Sequence, residues 1–143
     1  AVLQGMDGRK MSKSYNNTIP LFAPEKRLRK LIMKIKTNSQ PPEEPKDPES
    51  CTLFQIFQAF AEPEEIQAMR QRYARGIAWG EMKQVLFEYL NDHLKDARER
   101  YAALLENPER IEAVLREGAR KARHYSRPLL EDIRRRVGVA PLG

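Results

Sequence analysis

The sequence is poor in the residues that staple or ligate. It holds one cysteine, Cys51, so no intrachain disulfide can form, and no Cys/His cluster has zinc spacing. Tryptophan also occurs once, at Trp79. No run of about 18 apolar residues is present, so there is no candidate membrane-spanning helix. Seven glycines and ten prolines are too few for a low-complexity chain, and no internal repeat is visible. What remains is 143 residues, 41% hydrophobic and 32% charged. That is the balance of a helix-rich globular domain, long enough to bury its own core. The chain opens at Ala1, without an initiator methionine and already in an apolar stretch, so the expectation is a piece of a longer protein.

The net charge of +6 is unevenly spread. Residues 1–36 hold nine basic and two acidic side chains, residues 37–97 six and eleven, and residues 98–143 eleven and seven. Two basic ends around an acidic middle suit a partner rich in phosphate, although a solvated arginine-rich surface gives the same numbers.

Residues 1–20 read as the end of a strand at Val2–Leu3, then a turn bracketed by Gly5 and Gly8. The stretch that follows, with Asn16, Asn17 and Pro20 adding turn chemistry, should bury little and be a mobile loop. From Pro24 onward the periodicity is helical. A first helix carries Leu28, Leu31, Ile32 and Ile35. Residues 37–50, with four prolines, predict an extended connector without a core face. Helices follow over Thr52–Ala61, from Pro63 to Gly76, and over Glu81–Glu106 with a stripe from Met82 to Leu104. Asn107-Pro108 caps a fifth helix, and Pro128 is expected to open a last one. Gly118 lies on the apolar face of the fifth helix, which suggests close approach of a neighbour. The fold class expected is an all-α helical bundle beyond residue 20.

One word carries chemistry. Lys10-Met11-Ser12-Lys13-Ser14 puts two ammonium groups three residues apart on a loop between glycines. Such a pair can close on a polyphosphate, with Ser12, Ser14 and backbone N–H groups as further donors. The reaction that needs this is displacement of pyrophosphate, in which negative charge builds on the leaving group. An arbitrary Lys-x-x-Lys is more often a solvated basic loop.

The full word, extended from Met6-Asp7-Gly8-Arg9 through Tyr15-Asn16-Asn17-Thr18-Ile19, resembles the signature loop of class I aminoacyl-tRNA synthetases, and the tryptophanyl branch in particular. Gly76-Ile77-Ala78-Trp79-Gly80-Glu81-Met82-Lys83, Arg98-Glu99-Arg100-Tyr101, Gly118-Ala119-Arg120-Lys121-Ala122-Arg123 and Val137-Gly138 resemble further segments of that family, in its order. The resemblance implies activation of L-tryptophan by ATP, with Mg²⁺ accompanying ATP and no structural metal in the protein. Transfer to tRNA(Trp) follows. It also implies a cytoplasmic enzyme, usually a homodimer, with no membrane partner. By the same resemblance Lys10 and Lys13 are the catalytic cations, Met11 sets the loop's position, and Ser12 and Ser14 bind phosphate or cap the loop. Residues 1–20 would end a Rossmann-type catalytic domain and residues 21–143 would form the helical anticodon-binding domain. Two departures stand out: Thr37-Asn38 where the family often has Thr-Asp, and no His-x-Gly-His word, the only histidines being His93 and His124. The resemblance then implies that the amino-acid pocket lies outside this chain, and the isolated segment should be inactive.

Other residues divide between binding and packing. Arg116, Arg120, Arg123 and Arg127 step by four, three and four, which places them on one helical flank beside Lys121 and Arg134-Arg135-Arg136. They are the tRNA-binding candidates, for phosphate contact before base reading; pairing with Glu112, Glu117 and Glu131 would leave the flank electrostatically quiet. Trp79 is a core anchor before it is a base-stacking platform. His93 is expected to pack in the core, His124 to lie on the surface, and Cys51 to be a small packing residue. A stand-alone helical RNA-binding module and a helical scaffolding bundle remain as alternatives to part of a synthetase.

Overall fold

A computed structural model describes residues 2–139. Among them the chain forms six α-helices and one 3-10 turn, at Lys13–Tyr15. The helices are α1 (Glu25–Met33), α2 (Thr52–Gln58), α3 (Pro63–Arg75), α4 (Trp79–His93), α5 (Lys95–Glu106) and α6 (Pro108–Arg136). The only strand-like feature among the described residues is an isolated antiparallel bridge between Gln4 and Lys10. The all-α expectation holds. The chain divides into two compact units between Glu99 and Arg100.

In the first unit α1 and α2 both pack against α4. Leu28 and Ile32 from α1, Leu53 and Phe54 from α2, Tyr73 from α3, and Met82 and Leu86 from α4 are fully buried. The Phe54 ring meets Tyr73 edge-on with centroids 5.4 Å apart, a favoured aromatic geometry. α3 opens with a capping box in which Glu62 N–H donates to the Glu65 carboxylate at 2.9 Å, satisfying donors the helix leaves unpaired. The helix ends at Gly76.

The helix expected over Glu81–Glu106 is two helices meeting at Leu94. The residue has φ −96° and ψ 0°, and Asn91-Asp92-His93 ahead of it are weak helix formers. The bonds Leu94 N–H to Leu90 O and Arg98 N–H to Leu94 O persist, so the irregularity is confined to one turn. Pro128 does not open a helix. It lies inside α6, where no glycine or turn residue adjoins it to stop the run. Pro128 costs the helix an amide donor, typically about 3 kcal/mol in a helix interior, and the helix nevertheless runs on through it to Arg136. Gly118 has nothing within 4 Å of where a Cβ would stand, so the expected close approach is absent among the described residues. His93 is exposed rather than core, its ring edge-on to Phe60 and stacked on Tyr89. His124 is exposed as expected.

The proline-rich connector is not faceless. Lys46 is 4% exposed, and its ammonium donates to the carbonyls of Pro41, Pro42 and Glu44 at 2.6, 3.3 and 2.9 Å. Its backbone N–H donates to Tyr73 O at 2.9 Å. A Cβ at Gly76, whose φ is +95°, would fall 2.6 Å from Pro42 O, so only glycine admits the connector this close. Trp79 closes the arrangement. Its Nε1–H donates to Asn38 Oδ1 at 2.9 Å, the Lys46 ammonium stands 5.3 Å over its ring, and Tyr73 meets it edge-on. The indole is a half-buried anchor, as the packing reading expected.

Candidate phosphate-binding loop and basic surfaces

The loop expected to be mobile and poorly packed is organised around a buried asparagine. Gly5 N–H donates to Arg9 O at 2.7 Å and Met11 N–H to Leu3 O at 3.0 Å, closing a tight turn over residues 3–11. Asn17 is 2% exposed. Its Oδ1 accepts Ser12 N–H at 2.8 Å. Its Nδ2 donates to Asp7 Oδ1 at 2.8 Å and Lys10 O at 3.2 Å. Its carbonyl accepts Met6 N–H at 3.2 Å. One side chain thus holds the backbone on both sides of Met11. A buried amide with all its polar atoms paired is stable where an unpaired one is costly.

Two bonds fasten this turn to the helices. Thr52 Oγ1 donates to Gln4 Oε1 at 2.6 Å, at the start of α2, and Lys36 N–H donates to Met6 O at 3.1 Å, just past α1. Leu3, Met6 and Ile19 pack on the core.

Three cations stand in the loop, and one is neutralised within it. Asp7 pairs with Arg9 at 2.6 Å, and the Arg9 guanidinium lies 4.4 Å over the Tyr15 ring. The Asn17 amide, and after it Arg9, hold the Asp7 carboxyl down to about 2, so Asp7 is an anion throughout the physiological range. Lys10 and Lys13 are exposed, and among the described residues no acid lies in ion-pair contact with either. Ser12 and Ser14 sit Oγ to Oγ at 2.8 Å. Met11 is half-buried. The sequence-level candidates are therefore brought onto one short loop, with both lysine charges uncompensated.

The second unit carries the arginine flank. α6 is continuous through Arg116, Arg120, Arg123 and Arg127, and all four are exposed. Arg116 pairs with Glu112 at 3.0 Å, and Arg120 and Lys121 share Glu117 at 2.8 and 3.6 Å. Half of the flank is thus already partnered, whereas Arg123 and Arg127 make no ion pair among the described residues. No group of three His, Cys, Asp or Glu side chains that could hold a metal occurs among the described residues.

What supports the loop leaves little trace in the sequence. Gly5 and Asn17 were legible only as turn residues, since their contact spans twelve positions and leaves no local pattern. Asp7 was legible only as part of a family word.

The family model for "tRNA synthetases class I (W and Y)" matches residues 1–95. The chain belongs to this family of class I synthetases. Among curated relatives, tryptophan–tRNA ligases of Pseudomonas aeruginosa and Neisseria meningitidis are 51% and 47% identical over 99% of this chain. The chain spans 32% and 42% of their lengths. Among solved class I synthetases, tryptophanyl-tRNA synthetase from Campylobacter jejuni complexed with ADP and tryptophan superposes with a TM-score of 0.91. It is 41% identical, over 96% of this chain and 44% of that one.

Proposed function

We propose that in the full-length protein this segment serves an enzyme that activates L-tryptophan with Mg–ATP and transfers it to tRNA(Trp). The observation that carries the reading is the uncompensated pair Lys10 and Lys13 on a loop pinned by Asn17. In activation, a tryptophan carboxylate oxygen forms a bond to the α-phosphorus. The bond from that phosphorus to the bridging oxygen breaks, and pyrophosphate leaves with the electron pair. Charge accumulates on the departing phosphates, and cations aimed there lower the barrier more than they strengthen ground-state binding. Lys13 is the principal cation and Lys10 its companion. Ser12 and Ser14 donate to phosphate oxygens, and Met11 fixes the loop's register. Arg9, occupied by Asp7, serves the loop's shape instead. Mg²⁺ arrives with ATP as part of the substrate.

The Campylobacter jejuni relative, crystallised with ADP and tryptophan, supports the substrate assignment. The α6 flank of Arg116, Arg120, Arg123 and Arg127 contacts tRNA phosphates within an anticodon-binding domain. The enzyme works as a cytoplasmic homodimer, and the segment by itself does not activate tryptophan.

Tryptophan-dependent ATP–pyrophosphate exchange by full-length Lys13→Ala tests the reading. Loss of one donor aimed at developing charge typically costs about 3–4 kcal/mol, so turnover should fall by about two to three orders of magnitude with tryptophan affinity little changed. Undiminished exchange would remove Lys13 from the reaction.

A further inference from the structure

α1 carries a row of like charges on its outer face, of which only Lys30 and Lys34, at the C-terminal end, suit the helix dipole. Lys26, Lys30 and Lys34 recur every fourth residue from the first turn to the C-cap, and Arg27 stands beside them. Each is about 200° of helix rotation from Leu28 or Ile32, or flanks such a position. Leu28 and Ile32 are buried against α4 while the four cations are exposed. Like charges four residues apart on a helix repel. Lys26 and Arg27 also sit in the first turn, at the positive end of the helix dipole, where cations are disfavoured. Glu25 is the one acid of the helix. Among the described residues none of the four cations makes an ion pair. On α6 the cations are split: Arg116, Arg120, Lys121 and Arg136 each meet a carboxylate on their own helix, whereas Arg123 and Arg127 make no ion pair among the described residues. Arg29, the fifth cation of α1, is turned onto the Phe87 ring at 5.6 Å and is not counted with the outer row.

Local conflicts of this kind concentrate where a surface has work beyond folding. A row of cations at about 6 Å steps, unneutralised from within, complements a row of anions. We propose that the outer face of α1, built of Lys26, Arg27, Lys30 and Lys34, is a docking surface for the phosphate backbone of RNA. It is separate from the α6 flank. The proposal rests on the tRNA substrate assigned above. The placement agrees, because the chain leaving α1 returns to the signature loop through Lys36 N–H to Met6 O. RNA seated on this row would lie on the helix that leads into the phosphate-binding loop's anchor at Lys36.

The test uses full-length protein in three forms: wild type, Lys26→Gln/Arg27→Gln/Lys30→Gln/Lys34→Gln, and Arg116→Gln/Arg120→Gln/Arg123→Gln. Affinity for the tRNA transcript is measured from low to moderate salt. The α1 variant should bind at least about tenfold more weakly, and its log–log salt dependence should be shallower by about three units, the loss expected for four phosphate contacts. In aminoacylation its KM for tRNA should rise while kcat changes by less than about twofold, since uniform binding is what was removed. Its melting temperature should hold or rise, because repulsion has been relieved. Lys26→Arg/Lys30→Arg/Lys34→Arg, which keeps the charge, should bind as wild type does.

A folded α1 variant with wild-type affinity and slope would overturn the proposal, with the α6 variant showing whether RNA binds there instead. So would a variant that keeps RNA but loses an acidic protein partner, which would make α1 a protein-docking face. Failure of wild type to catalyse tryptophan-dependent pyrophosphate exchange would defeat the assigned reaction. In that event a shallower RNA salt slope in the α1 variant would still support the surface.

Discussion

Gly5 and Asn17 interlock: a Cβ added at Gly5 would lie 2.4 Å from the Asn17 carbonyl oxygen and 2.6 Å from its Cγ. The contact is with backbone and with a side chain bonded on every polar atom, so neither can step aside cheaply. The pair lies outside the five-residue word yet holds it, through the bonds of Asn17 to Lys10 O and Ser12 N–H.

Gly5→Ala should therefore destabilise the protein by about 1–3 kcal/mol, the usual cost of overpacking a tight site. Denaturant midpoints of wild type and variant measure it. A variant of unchanged stability would mean that the turn can open without loss.

Asn17→Ala should act on Asp7. The Asn17 amide is the foremost cause of the carboxyl's depression to about 2. A depressed carboxylate contributes stability at pH values above its ordinary pKa of about 3.9, and that contribution is lost as pH falls from there through the folded value. In wild type the loop should hold until the pH approaches 2. In Asn17→Ala the Asp7 titration, followed by carboxyl carbon NMR, should move up toward the ordinary value, and Ser12 N–H should lose hydrogen-exchange protection. A titration left in place would assign the depression to Arg9 alone.

Lys46→Met should cost about 1–3 kcal/mol, because three carbonyls lose a charged donor and the indole loses the cation above it. Trp79 is the only tryptophan of this segment, so its emission in the segment reports the same event, with a red shift as the connector loosens. Unchanged emission and stability would leave the ammonium without a structural role.

Trp79→Ala should destabilise by less than the about 3–5 kcal/mol typical of a fully buried aromatic ring, since the indole is half-buried. Thermal melts check it. No loss at all would return the ring to the base-stacking reading.

The helices were legible in the sequence wherever the apolar period met a clear stop. α3 runs from Pro63 to the stop at Gly76, and the stripe Met82, Leu86 and Leu90 lies in the core. The period stayed silent about Leu94 and Pro128, because breaks in a helix depend on whether local bonds survive. The chemistry-bearing lysines were legible from one five-residue word. The pieces that hold them were not. Asn17 joins residues five to twelve positions away, and Lys46 turns a proline-rich stretch inward through carbonyls, which every residue has. Composition marks such a stretch as extended and polar, and only three-dimensional closure shows that a charge can be buried in it.

Lys46 also has a chemical consequence. An ammonium whose protons are held by three carbonyls must give up one of them, and turn the freed lone pair outward, before it can attack an electrophile. Lys10, Lys13 and the α1 lysines are open to acylating reagents, whereas Lys46 should react only in molecules whose connector has momentarily let go. The rate at which it is acylated in native protein is then a clock for that opening, readable by peptide mass without altering a single residue.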